Sequence, residues 1–433
     1  MTSARDTPRA VPAPSPAPRA EDPTAGAARA HVLEPFADPI PGLAEAVAAA
    51  PGADRAEEAA RGIARAHRRE PADVVWGDDA ETLLAALLAG SPRGAGASGG
   101  AEAGDVVVGD SARDRFGAAD GSGTGSSGGE PGAAGAGGEL GARDEAGAGA
   151  ASGPSAAGAA SGTRGEDGAR RASGMAERGE AAGGAALGDV AAIRFVGPAP
   201  DGGDDVEAIL AAATPETRAV VVANPHRITG RPLARDAFDR LLAGVPEGVL
   251  IVVDETLADV VSTPRAAVAS EMFGAAVALP ENVAVLRALP IAAGPAPGAF
   301  LLAGPAVRDR LSVPDPSPAA PAALAHAYSD DGLDELDARV EWLKAERQRI
   351  ERTLRDRMER AEIDGRPHIP IVHADGCFVW IPVGDRAQEL RAHLLAEAGA
   401  LTLAVPGRGV RVTVRDAATN DRIIDAITAW ATR

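Results

Sequence analysis

The chain has 433 residues, enough for two domains with cores of their own. Its formal charge of −19 argues against nucleic acid and anionic membranes as partners, because both reward a basic surface. A single cysteine, Cys377, excludes a disulfide framework and a cysteine metal cluster, and fits a reducing cytoplasm; no apolar run reaches the roughly 18 residues of a membrane span.

Residues 1–30 (MTSARDTPRA…) lack the apolar stretch of a signal peptide and read as a disordered Pro/Ala/Arg tail. Residues 31–69 read as an N-terminal segment packing with a C-terminal small domain, with helices at 42–50 and 55–68. A large domain is expected over 70–312, beginning with a strand at 73–76, a helix at 81–89 and a buried strand at 105–108. The Gly/Ala/Ser-rich stretch 116–188 carries too little apolar surface to order itself and is expected to be a disordered insertion. Apolar segments at 191–196, 219–223, 248–253, 283–287 and 300–303, interleaved with helices at 206–212 and 234–243, predict a mostly parallel α/β sheet covered on both faces. The Pro-rich stretch 313–321 marks a boundary. Beyond it, 318–433 reads as a small α+β domain. It opens with a long helix at about 333–360, striped by Leu333, Leu336, Val340, Leu343, Ile350 and Leu354, and continues strand (378–383), helix (386–397), strand (410–414) and helix (420–431).

Two motifs follow buried strands. Asn224-Pro225-His226-Arg227-Ile228-Thr229-Gly230 ends one, and Asp254-Glu255 ends the next. In open α/β sheets ligands bind at the carboxyl ends of strands, where both motifs sit. Taken singly, Asn224 also suits an Asx turn and Asp254 a helix N-cap. The ordered pair resembles the NPxxPTG turn and the DEAY motif of the class I/II aminotransferases, which depend on pyridoxal 5′-phosphate (PLP). Residues 215–230, 246–262, 281–312, 332–355 and 376–424 look like the histidinol-phosphate and aromatic amino-acid branch, as does the run Gly409-Val410-Arg411-Val412-Thr413-Val414 with Thr419-Asn420-Asp421.

The resemblance implies a fold-type-I PLP-transferase and amino transfer between an L-amino acid and a 2-oxo acid. It implies Asn224 and Asp254 as cofactor-binding residues, on the phenolic oxygen and the ring nitrogen, and Arg411 as the grip on a substrate carboxylate. It also implies a dimer, either with a second copy or with an active paralogue.

The departures from the family pattern are specific. Ile291 stands where the Schiff-base lysine is expected, so no catalytic residue is assigned. Pro290 and Ala299 stand where phosphate ligands are expected, Leu257 where a tyrosine follows Asp-Glu, and Arg113 where an aromatic stacks on the ring. Cys377 takes the place of an asparagine, and Ala50-Pro51 that of a Tyr-Pro pair. The phosphate loop appears as Gly77-Asp78-Asp79-Ala80-Glu81, acidic where a helix N-terminus attracts phosphate. The only lysine, Lys344, falls mid-helix and reads as a solvated side chain; His226 reads as a solvent-exposed turn residue, and Arg287 has no assigned role. The expectation is an aminotransferase-family protein that is catalytically impaired or inactive, PLP binding being doubtful. The alternatives are a ligand- or partner-binding pseudoenzyme and a drifting relative with no selected ligand.

Overall fold

The computed structural model describes residues 35–49, 53–90, 104–116, 177–179, 192–262, 279–363 and 368–431. The expected tail, Ala50-Pro51 and most of 116–188 lie outside them.

Most strands form where apolar residues run between turn signals. They are β1 (Val74–Gly77), β2 (Val106–Val108), β3 (Glu177–Gly179), β4 (Ile193–Phe195), β5 (Ala219–Ala223), β6 (Leu250–Asp254), β7 (Val283–Ala288) and β8 (Ala299–Ala303). They build one eight-stranded sheet in the order β1-β8-β7-β6-β5-β2-β4-β3. Strands β4, β2, β5, β6 and β7 are parallel neighbours. Successive side chains enter opposite layers: Val220, Val222, Ile251 and Val253 face one apolar layer, and Val221, Ala223, Leu250 and Val252 the other. The central strands β5, β6 and β7 are therefore apolar at nearly every position, because helices cover both faces.

The sheet is mainly parallel, as expected, with antiparallel members towards its ends, and two other features differ from the expectation. Strand β8 runs antiparallel to β7, and β1 antiparallel to β8. The short link between β7 and β8 has no room for the crossover a parallel pair needs. Within the stretch expected to be disordered, β3 adds an antiparallel edge strand on β4. The Pro-rich stretch 313–321 runs into a helix, Ala319–Ala327, whose alanines from Ala320 onward are buried and which its cap Pro318 and Pro321 hid.

The helices are α1 (Leu43–Ala48), α2 (Ala53–Ala66), α3 (Ala80–Gly90), α4 (Val206–Ala212), α5 (Arg235–Gly244), α6 (Pro305–Arg308), α7 (Ala319–Ala327), α8 (Asp330–Ile363), α9 (Ala387–Ala398) and α10 (Ala417–Ala431). Asp79 caps α3, its Oδ1 accepting the Thr82 N–H at 2.6 Å, and Asp205 caps α4 through the Ala208 N–H at 3.0 Å. Leu336, Val340, Leu343, Ile350, Leu354 and Met358 form the buried stripe of α8. A second, antiparallel sheet has the order β10-β11-β9, from β9 (Phe378–Gly384), β10 (Leu403–Val405) and β11 (Arg408–Thr413). Its short strand β10 has no counterpart in the sequence reading. Helix α9 ends at Gly399, whose φ of 63° suits a residue without Cβ.

Candidate functional site

The turn after β5 is held from within. Asn224 is buried; its backbone N–H donates to the Asp254 carbonyl at 2.9 Å, and its Oδ1 accepts the Leu233 N–H at 2.8 Å. The Asn224–Pro225 peptide is cis. Gly230 closes the turn with φ +72°, and its carbonyl accepts the Asp375 N–H at 2.6 Å. A Cβ here would lie 2.6 Å from the Ala374 Cβ, so only glycine permits this approach.

His226 is not the exposed residue expected; it is 1% exposed. Its Nδ1 accepts the backbone N–H groups of Ile228 (3.2 Å) and Thr229 (3.3 Å). That assigns the proton to Nε2, which donates to Asp110 Oδ2 at 3.0 Å. The Arg408 Nη1 donates to the same oxygen at 2.6 Å. Burial alone would raise the Asp110 carboxyl, but His226 and Arg408 outweigh it and hold it below the usual carboxylate range. With both ring nitrogens committed, His226 ties the turn to β2 rather than offering a free base. The sequence could not show this, because Asp110 lies far away along the chain.

Asp254, at the carboxyl end of β6, anchors a second cluster. Its Oδ2 accepts from Arg115 Nε at 2.7 Å and lies 3.7 Å from Arg227 Nη1. Its Oδ1 accepts the Thr256 N–H at 3.0 Å and the Thr256 hydroxyl at 2.7 Å. Burial opposes ionisation, yet Arg115 and Arg227 together keep this carboxyl far below its ordinary value. Arg115 also donates to Glu81 and, at 2.7 Å, to the Thr256 hydroxyl oxygen. The neighbouring Asp114 accepts from Arg227 Nε at 2.8 Å and lies 3.6 Å from Arg411 Nη1. Arg411 is buried, donates to the Arg227 carbonyl oxygen and sits 5.4 Å over the Phe378 ring. Asn224, Asp254 and Arg411 thus gather at one end of the sheet. Asp114, Arg115 and Arg227 join them, and sequence reasoning missed all three.

The remaining candidates are placed as follows. Arg113 turns away from the cluster, 5.0 Å over the Phe195 ring. Arg287 is buried on β7, donates to Asp259 and lies 3.5 Å from Glu255. Ile291 opens a 3-10 turn, Ile291–Ala293, directly after Pro290, and packs half-buried against the core. Leu257 and Ala299 are buried core residues. Asp78 accepts from the backbone N–H (2.9 Å) and the hydroxyl (2.6 Å) of Ser317. Cys377 is buried, which pushes its thiol up to about 11. Lys344 sits on α8 with its side chain 22% exposed and pairs with Glu341 at 3.1 Å, so its face is only partly solvated.

His373 forms a third cluster beside Gly230. Its Nε2 lies 3.3 Å from Asp375 Oδ1 and its Nδ1 2.9 Å from Glu351 Oε2. The hydrogen bonds to Asp375 and Glu351 raise its pKa to about 9. A histidine raised above its unfolded value of about 6.5 contributes its full stability below that pH and loses it as the pH rises through about 9. The ring is 40% exposed, so solvent screening leaves a contribution of about 1 kcal/mol. Urea unfolding at pH about 6 and about 10 is expected to show this loss in the native protein and not in His373→Gln.

The aminotransferase class I and II family model matches residues 186–427. The aromatic amino acid aminotransferase of Mycolicibacterium vanbaalenii is 32% identical over 241 residues, covering 54% of this chain and 63% of that protein. Its counterpart from Rhodococcus jostii is 32% identical over 237 residues, covering 54% and 62%. The match thus spans under two thirds of the length of these relatives. Among solved structures, the histidinol-phosphate aminotransferase of Sinorhizobium meliloti, in complex with pyridoxal-5′-phosphate, aligns with a TM-score of 0.59 at 17% identity over 92% of this chain and 89% of that one. The aspartate aminotransferase of Thermus thermophilus with maleate gives 0.58 at 15% identity, over 92% and 90%. The α/β architecture, with its mainly parallel central sheet, is that of the fold-type-I aminotransferases. The family match, covering more than half of the chain, and the shared fold together establish that this protein belongs to the class I and II aminotransferases.

Proposed function

We propose that this protein is an aminotransferase-fold protein that does not transaminate, Ile291 standing where the family carries its PLP lysine. The observation that carries the reading is the place of Lys344. It is the only lysine in the chain, and it is held by Glu341 on α8. An aldehyde cofactor held as an imine needs a lysine amine, and the same amine then moves the proton between substrate and cofactor. Arginine cannot take either role, because its guanidinium stays protonated.

The residues present do not fit PLP in two further respects. The Asp254 carboxylate, which would pair with a ring cation, is already neutralised by Arg115 and Arg227. Where a phosphate dianion would be cupped, Asp78, Asp79 and Glu81 are engaged with Ser317, Thr82 and Arg115. Arg411, the residue expected to grip a substrate carboxylate, faces Asp114.

The test is to mix purified protein with PLP and a panel of amino acids and 2-oxo acids. The expected result is no imine absorption band and no product above the background of free cofactor. Turnover that Arg411→Ala abolishes would overturn the reading.

A further inference from the structure

Asp114 and Arg115 are neighbours in sequence, carry opposite charges and hold opposite partners. Asp114 lies against two guanidiniums, Arg227 at 2.8 Å and Arg411 at 3.6 Å. Arg115 lies against two carboxylates, Asp254 at 2.7 Å and Glu81. The four partners come from four places: the turn after β5, strand β11 of the second sheet, the end of β6 and the first turn of α3. Both residues ride on the 3-10 segment Asp110–Phe116, which β2 delivers to the carboxyl end of the sheet.

Without this segment, Arg227 and Arg411 would form a cationic wall and Asp254 and Glu81 an anionic one. Such walls, at the carboxyl ends of parallel strands, would hold a ligand bearing both charges. Arg227 and Asp254 already meet across this gap at 3.7 Å, but Asp114 is the carboxylate against Arg411, and a buried charge is strongly unfavourable without a partner. Here the chain supplies it.

We propose that the Asp114-Arg115 dipeptide is an autoinhibitory contact, an internal occupant that satisfies both charged walls and keeps phosphorylated pyridine ligands out. This rests on the reading that the protein does not transaminate, and it adds that a lysine alone would not reopen the site.

The probe is pyridoxamine phosphate, which has no aldehyde and so reports non-covalent binding. It is titrated calorimetrically into the native protein, Ile291→Lys, and the double variant Asp114→Asn/Arg115→Gln, whose net charge is unchanged. The expected result is no saturable heat at about 1 mM for the first two, and at least about a tenfold gain in affinity for the double variant. Arg115→Lys is titrated beside them, because it keeps the cation but cannot bridge both carboxylates as a planar guanidinium does. It is expected to gain about threefold. Tight binding by the native protein, or by Ile291→Lys, would overturn the proposal. So would a folded double variant with no gain or, should that variant not fold, a folded Arg115→Lys with none. Transamination by the native protein defeats the parent reading instead, and is measured separately.

Discussion

Replacing Arg347 with methionine is expected to lower the unfolding free energy by about 3–5 kcal/mol, the usual effect of removing one partner from a buried ionic cluster. Arg347 is fully buried midway along α8. Its Nη1 donates to the carbonyls of Gly376 (2.7 Å) and Val260 (3.2 Å), and its Nη2 to the Ser262 hydroxyl oxygen (2.7 Å) and Asp375 Oδ1 (3.4 Å). Methionine fills similar volume but takes the guanidinium from two buried carbonyls and leaves Asp375 with Ser262 and His373. Arg347→Lys is expected to recover less than half of the loss, because one ammonium cannot serve acceptors arranged around a planar fork. Urea denaturation of the three proteins checks both statements. A methionine variant within about 1 kcal/mol of the native protein would show that the cluster contributes nothing net.

The second large effect is expected at Arg115. Its replacement by methionine leaves Asp254 with Arg227 at 3.7 Å and the Thr256 donors, so the expected cost is about 3 kcal/mol. The pH dependence separates this from lost packing. Asp254 has a folded pKa below its unfolded value of about 3.9, so its contribution is present above that pH and is lost as the pH falls through the folded value. The native protein should therefore weaken steeply in acid, and Arg115→Met less steeply. Asp254→Asn should behave like Arg115→Met. The double variant should cost less than the sum of the two, which a double-mutant cycle measures directly. Parallel acid profiles for all four proteins would remove the ion pair from the account.

The elements of the large sheet were legible because their signal is local. Segments such as Ala219–Ala223 and residues 250–253 are apolar at every position, which a doubly covered sheet explains. The direction of β8 was also in the sequence, in the short link that precedes it, but the continuous apolar run masked it. Helix α7 was hidden by its prolines, and β10 by its brevity. At the site, Asn224 and Asp254 stood out because they end successive buried strands in motifs that resemble those of the family. Asp114, Arg115 and Arg227 did not, because an arginine's partner is not written near it: Arg115 and Asp254 lie 139 positions apart. His226 was misread for the same reason, its partner Asp110 being 116 positions away.

The backbone bond from Asp375 to Gly230 has a mechanical consequence. Beside it, Arg408 grips Asp110, Arg411 grips the Arg227 carbonyl, and Arg347 binds Val260 and Gly376 together. These rivets sit on the small sheet, on the loop leading into it and on α8, and each reaches residues that follow β2, β5 or β6. A hinge rotation between the two sheets would shear several of them at once, and no one of them could yield alone. The protein is in this respect a welded frame, and its slowest-exchanging amides should include that of Asp375, at the seam.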